Sequence, residues 1–315
     1  MNAAATGKPV IVVTAADLAP EALALLQDFE LVFAGKTPAE EGIVALCRER
    51  NPVAIIVRYS KVGAAAMDAA PALRVISKHG SGTDTIDKAA AAERGIQVVA
   101  AVGVNAAAVA EQALALLLAC AKSVVGLDER MRAGHWDKST HKSLELDGKT
   151  IGLIGLGAIG QRMAAMARGL NMRVVGFDPY AGSLPDYIES VPLDALWREA
   201  DVVSLHCPLT DDNRGMVNAA TLAQCKPGVI LVNTARGGLV DEEALLQAVR
   251  SGHVRAAGLD SFAVEPMTAG HPFQQEPRII LSPHIGGVTG AAYVNMGVAA
   301  ARNVLDALTR AKAQA

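Results

Sequence analysis

The chain has 315 residues, long enough for two domains of ordinary size, and 51% of them are hydrophobic while only 3% are aromatic. Its cores must therefore be built from Ala, Val, Leu and Ile. A net charge of -3 gives no sign of a nucleic-acid or membrane partner, and no apolar run reaches the length of a membrane span, residues 114–120 coming closest.

The opening MNAAATGKP lacks the apolar centre of a signal peptide. Cys47, Cys120, Cys207 and Cys225 are scattered without a C-x-x-C pair, so neither a metal site nor a disulfide framework is expected. The setting expected is soluble, reducing and cytoplasmic.

Residues 10–13 read as a strand, 20–29 as a helix and 31–34 as a second strand. Thr37, Pro38 and Glu40 read as a helix start, with Thr37 as N-cap and Glu40 in the capping-box place, for a helix reaching Arg50. Strands follow at 53–57, ending in Arg58, and at 73–77, ending in Lys78-His79-Gly80-Ser81-Gly82. A helix over 86–94 stops at Gly95, and 96–100 are a fifth strand. Strands alternating with helices imply a parallel, doubly wound sheet. Residues 105–125 read as one long apolar helix, with the domain crossing just before it.

Residues 151–154 are a short apolar run that reads as a buried strand. Gly155, Gly157 and Gly160 follow at once in the order G-x-G-x-x-G, then a helix over 158–168, then a strand over 172–177 ending in Asp178. Each glycine has its own reason. Gly155 permits the tight turn, Gly157 lets a pyrophosphate approach the backbone, and Gly160 lets helix and strand pack closely. The helix N-terminus offers free N–H groups and a partial positive charge to phosphates. Asp178, 18 residues after Gly160, can accept hydrogen bonds from ribose hydroxyls and would repel a 2′-phosphate. The cofactor expected is NAD.

The second unit continues with strands at 202–205, 229–232, 257–259 and 279–281 and a helix capped by Asp241. A last helix from about Thr289 is free to return to the first domain. Ligands bind at the carboxyl ends of such strands, and His206, Arg236, Asp260, Glu265 and His284 gather there. Hydride transfer to a carbonyl needs an anchor for the substrate, a proton donor and a group to tune that donor. Arg236 can grip a carboxylate with two parallel bonds, His284 can exchange a proton near neutral pH, and Glu265 can orient the imidazole and raise its pKa. His206, which abuts Pro208, competes with His284 and is assigned to the cofactor lining. A lone Arg or His is more often a surface charge or a satisfied structural group; Arg236 in TARGG is better placed than most because it follows a buried strand.

The stretches GLIGLGAIG, FDPY, HCPLT, LVNTARGGLVDEEAL, GLDSFAVEP and LSPHIGG, in this order, resemble the D-isomer-specific 2-hydroxyacid dehydrogenases, as do KHGSGTDTID and NAAAVAEQALALLLA. The resemblance implies two Rossmann-like doubly wound parallel-sheet domains with a cleft between them. A substrate-binding domain would comprise 1–101 with 288–315, and an NAD-binding domain 102–287. It also implies a homodimer. The family's catalytic residues fall on Arg236, Glu265 and His284. Its cofactor contacts fall on Ser81, Ala158, Ile159, Asp178, Cys207, Thr234, Asp260 and Gly287, with Pro208 and Ala235 beside them. Its carboxylate-binding loop falls on Gly80, Ser81 and Gly82.

Within the family the look is closest to phosphoglycerate dehydrogenases, whose phosphate-side arginines correspond to Arg58 and Lys78. The activity implied is NAD-dependent oxidoreduction at C2 of a small D-2-hydroxy acid or 2-keto acid, with an anionic C3 substituent as one form of substrate. Hydroxypyruvate or glyoxylate reduction is the alternative. A non-enzymatic NAD sensor on the same fold is disfavoured by the intact Arg, Glu and His, and a formate dehydrogenase by Glu265 where that branch resembles a Gln–His pairing.

Overall fold

The computed structural model describes residues 7–313. Among them the chain divides into two compact units: residues up to Asn105 together with those from Gly287 onward, and Ala106–Gly286.

The first unit runs β1 (Val10–Val13), α1 (Pro20–Leu25), β2 (Glu30–Phe33), α2 (Glu40–Arg50), β3 (Ala54–Val57), α3 (Ala64–Asp68), β4 (Val75–Lys78), α4 (Lys88–Glu93) and β5 (Gln97–Ala100). Its five strands are parallel in the order β2-β1-β3-β4-β5. The central β3 is buried at every position, which is why it reads AIIV without alternation: a parallel sheet is covered on both faces. On one face Ile11, Val13 and Ile56 pack against Ala19, Ala22 and, from the C-terminal helix (Gly290–Ala313), Ala300 and Val304. On the other, Val12, Ile55, Val57 and Ile76 pack against Ile43, Cys47 and Met67. Small Ala side chains let the helices lie close, consistent with the scarcity of aromatics.

The second unit begins with α5 (Ala106–Lys122) and α6 (Val124–Arg132). Then come β6 (Thr150–Ile154), α7 (Ala158–Gly169), β7 (Arg173–Phe177), β8 (Ile188–Ser190), α8 (Leu193–Glu199), β9 (Val202–Leu205), α9 (Ala219–Leu222), β10 (Val229–Asn233), α10 (Glu242–Arg250), β11 (Val254–Leu259) and β12 (Ile279–Leu281). Its seven parallel strands lie in the order β12-β11-β10-β9-β6-β7-β8. Ile151, Leu153 and Val232 face α5 and α7 through Leu117 and Met163, while Val203, Leu205 and Leu231 face α8 and α10 through Leu196 and Leu245. Strand order reverses between β6 and β9, and that places a crevice at their carboxyl ends.

Two local expectations need correction. Helix α2 starts at Glu40 with Ala39 as N-cap and no side-chain cap bond, so Thr37 does not cap it. The Glu40 carboxylate lies against Gly63 instead of folding back, within 2.8 Å of where a Gly63 Cβ would stand. The long helix expected over 105–125 breaks at Ser123, whose φ of 53° lies in the left-handed region and turns the chain between α5 and α6. No single helix among the described residues is long and apolar enough to cross a membrane.

Candidate active site

The glycine turn after β6 behaves as its spacing suggests. Gly155 has φ 95°, and a Cβ on it would meet the His206 carbonyl carbon and the Cys207 amide nitrogen at 2.6 Å. Gly160 leaves no room either, since its Cβ would lie 2.1 Å from the Gly155 carbonyl oxygen. Gly157 is different. It is the N-cap of α7, and a Cβ there would meet nothing within 4 Å. Two glycines thus close the turn against β9, and the third keeps open space in front of a helix N-terminus. A pyrophosphate fits that cradle. Ala158 and Ile159 are the first residues of α7.

Asp178 sits at the end of β7 and braces the same turn. Its Oδ2 accepts the Leu156 amide at 2.8 Å and its Oδ1 accepts the Tyr180 amide at 2.9 Å. The carboxylate is therefore fixed beside the glycine turn, where an adenosine ribose would lie. Across the strand reversal, His206 takes its Nε2 to Ser204 Oγ at 2.9 Å, and its Nδ1 is buried without a hydrogen-bond partner. Burial pushes its pKa down to about 4, so the ring is neutral near pH 7 and unsuited to the acid–base role. Burial likewise holds the Cys207 thiol up at about 11, and Asn213 donates to the Pro208 carbonyl.

At the end of β10 the buried Asn233 shapes the next loop. Its side chain accepts from the Ala235 amide at 3.0 Å and donates to the Arg236 carbonyl at 2.9 Å. Gly237 then seats this loop against the Phe262 backbone, with no space for a Cβ. Thr234 is 8% exposed, and its Oγ1 is buried without a protein partner, a polar atom left for a bound group. Open cradle, braced Asp178 and orphaned Thr234 hydroxyl together fit a dinucleotide.

Asp260, expected to contact the cofactor, has a task inside the protein. It is 1% exposed. Its Oδ1 accepts from the Ile285 amide at 3.0 Å and from the Ser282 hydroxyl, and its Oδ2 accepts from the Gly286 amide at 2.7 Å. Gln112 of α5 completes the brace by donating to Ser282 Oγ at 2.9 Å. This clamp holds the turn that carries His284, whose φ of 53° is unusual for a residue with a Cβ.

His284 Nδ1 lies 2.7 Å from Glu265 Oε2, while Glu265 Oε1 accepts the Phe262 amide at 2.9 Å. Both carboxylate oxygens are thus fixed. The hydrogen bond to Glu265 raises the His284 pKa above its ordinary value; burial opposes this, the charges of Glu265 and Asp260 add to it, and Arg236 subtracts. Burial, the largest single influence on Glu265, pushes its pKa up, but the bonds from His284 and Phe262 and the charges of His284 and Arg236 outweigh it and leave it lowered. The pair is stabilised as imidazolium and carboxylate, with Arg236 close enough to be felt by both. One Arg236 nitrogen donates to the Ala235 carbonyl at 2.7 Å.

In the first unit Gly80, Ser81 and Gly82 follow β4. Gly80 has φ 138°, and its carbonyl accepts the Ala101 amide at 3.0 Å. Ser81 Oγ lies 3.3 Å from Asn105 Oδ1. Gly287 approaches the same Asn105: a Cβ on it would stand 2.7 Å from Nδ2. Arg58 and Lys78 both have partners. Arg58 donates to Asp17 at 2.8 Å and to the Tyr59 hydroxyl at 3.1 Å, and Lys78 Nζ donates to the Arg58 carbonyl.

Sequence reasoning did not assign Asn233, Ser282 or Gln112. A signal existed for two of them: Asn233 is a polar residue ending an otherwise apolar strand, and Gln112, with Glu111, interrupts an apolar helix.

A family model described as D-isomer specific 2-hydroxyacid dehydrogenase, NAD binding domain, matches residues 114–286. The chain is 41% identical over 302 residues to D-3-phosphoglycerate dehydrogenase of Mycobacterium leprae, covering 95% of this chain and 57% of that one. The chain thus spans little more than half the length of that relative. It is 42% identical over 248 residues to hydroxypyruvate reductase of Thermotoga maritima, covering 78% and 81%. Among solved structures, the TT0316 protein from Thermus thermophilus superposes with a TM-score of 0.87 at 38% identity, covering 95% and 97%.

Proposed function

The chain belongs to the D-isomer specific 2-hydroxyacid dehydrogenases, and from that premise we propose that it is an NAD-dependent oxidoreductase acting at C2 of a small D-2-hydroxy acid or 2-keto acid. The observation that carries the reading is the 2.7 Å bond between His284 and Glu265, with Arg236 acting on both.

NAD supplies or accepts the hydride when bound. Gly157 and the N-terminus of α7 would hold its pyrophosphate and Asp178 its ribose, with Thr234 and Cys207 as further contacts. Because Glu265 fixes Nδ1 of His284, Nε2 is left to face the substrate oxygen. In reduction, the imidazolium gives its proton to the carbonyl oxygen; in oxidation, the neutral ring takes the hydroxyl proton. Glu265 stabilises the charged ring and fixes its orientation. Arg236 would hold the substrate carboxylate.

We also propose a homodimer and a cytoplasmic setting. None of the α6 side chains is buried, and Val124, Val125, Met131 and the following Trp136 are exposed apolar groups at 43–73%. Such a face suits a second copy of the chain. The four cysteines are free thiols, which suits a reducing compartment.

The test is a panel of 2-keto acids, including glyoxylate, hydroxypyruvate and 3-phosphohydroxypyruvate, offered with NADH and with NADPH. NADH oxidation with at least one of them, faster than with NADPH, is expected. No substrate-dependent oxidation of either cofactor would overturn the reading.

A further inference from the structure

One face of helix α5 touches both parts of the support under His284. Leu116 lies on strand β11: a Cβ on Gly258 would stand 2.7 Å from the Leu116 Cβ. Gly258 is two residues before Asp260, the carboxylate that bonds the 282–286 turn. Gln112 stands one helical turn before Leu116, on the same side of α5. A Cβ on Gly286 would stand 3.5 Å from both the Cβ and the Cγ of Gln112, and 2.9 Å from Asp260 Oδ2. Helix, strand end and turn thus meet where not even a methyl group fits, and Gln112 brings a polar group to that meeting point.

The hydrogen bonds there run in one direction. Asp260 accepts the Ile285 and Gly286 amides and the Ser282 hydroxyl. A hydroxyl has a single proton, and once it goes to Asp260 the Ser282 oxygen can only accept from its other neighbours. Gln112 Nε2, 2.9 Å from Ser282 Oγ, is that donor. An amide nitrogen offers no lone pair to a hydroxyl, so Gln112 leaves Ser282 one orientation, with its proton on Asp260. Ser282 is 9% exposed and Asp260 1%, so water is a poor substitute for either bond. Two residues beyond Ser282, His284 holds a φ of 53°, a conformation that persists only where its surroundings enforce it.

Resting on the dehydrogenase reading above, we propose that Gln112 is a positioning residue for proton transfer: its side-chain amide turns the Ser282 hydroxyl onto Asp260 and so keeps the His284 ring set against Glu265. Without that donor the hydroxyl is free to rotate away, and Asp260 loses one of its three ties to the turn. The turn loosens, and His284 meets Glu265 less squarely. Their hydrogen bond is the largest cause of the raised His284 pKa. The charges of Glu265 and Asp260 also raise it, and that of Arg236 lowers it.

Gln112→Met removes the N–H but keeps a Cβ and Cγ to pack on Gly286. Thermal unfolding and NADH titration check that the fold and the cofactor site are kept. With a 2-keto acid that the unmodified protein reduces, Gln112→Met should lower kcat by about tenfold. It should also move the falling alkaline limb of the pH profile to lower pH. Ser282→Ala should do the same. Gln112→Met combined with Ser282→Ala should be no worse than Ser282→Ala alone, because both act through one hydroxyl. Wild-type kcat in Gln112→Met, a loss of kcat with an unmoved pH profile, or losses that multiply in the double variant would each overturn the inference while leaving the dehydrogenase reading standing. Absence of turnover by the unmodified protein with every keto acid would overturn both.

Discussion

Gly157→Ala should weaken NAD binding without harming the fold, and the structure sets the size of both effects. The new Cβ meets nothing within 4 Å, and the backbone at φ -72°, ψ -162° is open to alanine. Restricting the unfolded chain gains about 0.4–1 kcal/mol. Alanine is a poorer N-cap than glycine by a comparable amount, so the two nearly cancel. The methyl instead stands in the cradle before α7 and keeps a phosphate off the helix amides. Losing one hydrogen bond to a charged group, about 1.5–3 kcal/mol, weakens NADH binding by roughly 10- to 100-fold.

Gly160→Ala is the contrasting variant. Its Cβ would stand 2.1 Å from the Gly155 carbonyl oxygen, a backbone atom that cannot swing aside, and the turn has to open. Overpacking of that kind costs about 1–3 kcal/mol and should lower Tm by several degrees. NADH fluorescence titration and thermal unfolding of the cofactor-free protein measure the two quantities separately. Wild-type NADH affinity in Gly157→Ala, or an affinity loss that merely follows loss of folded protein, would refute the reasoning.

His284→Ala should lower kcat by on the order of 10²–10⁴ with NADH affinity kept, because the buried neutral His206 cannot replace it; titration and steady-state kinetics distinguish this from a binding defect. Reduction needs protonated His284, and its raised pKa keeps the proton on to higher pH, so activity should fall as pH rises through that pKa. Glu265→Gln removes the largest cause of the rise, and the falling limb should move to lower pH; a superimposable pH profile would disprove the coupling. Asp178→Ala should weaken NADH binding and narrow the NADH-over-NADPH preference, since it removes the carboxylate facing the ribose and the brace on Leu156; an unchanged cofactor ratio would count against that placement.

The parts of the fold legible in the sequence were those set by local chemistry. Buried parallel strands such as AIIV and the VILV of 229–232 show as unbroken apolar runs, and the three glycines sit at fixed offsets from β6. Asp241 caps α10 through the Ala244 amide, as its place before EEALLQAV suggests. What escaped was decided by distant partners. Edge strand β8 is three residues with only Ile188 buried, so it carries no periodicity. The break at Ser123 is a backbone turn between two stretches that both favour helix. The types of the site residues were visible, but the clamp of Asp260 on the 282–286 turn joins groups more than 20 residues apart, and no spacing rule announces it. Arg58 and Lys78 read as cations available to an anionic tail; their engagement with Asp17 and the Arg58 carbonyl depends on how three strand ends meet.

The central claim is direct hydride transfer to C2 with His284 as the proton donor. Its most direct test is a turnover with NADH deuterated at the transferring position of the nicotinamide and a 2-keto acid accepted in the panel, followed by mass and chiral analysis of the product. The account predicts one deuterium at C2 of a D-2-hydroxy acid for each NADH oxidised, with the His284→Ala variant slowed in that transfer. Unlabelled product, an L-hydroxy acid, or NADH consumption without any hydroxy acid would contradict it.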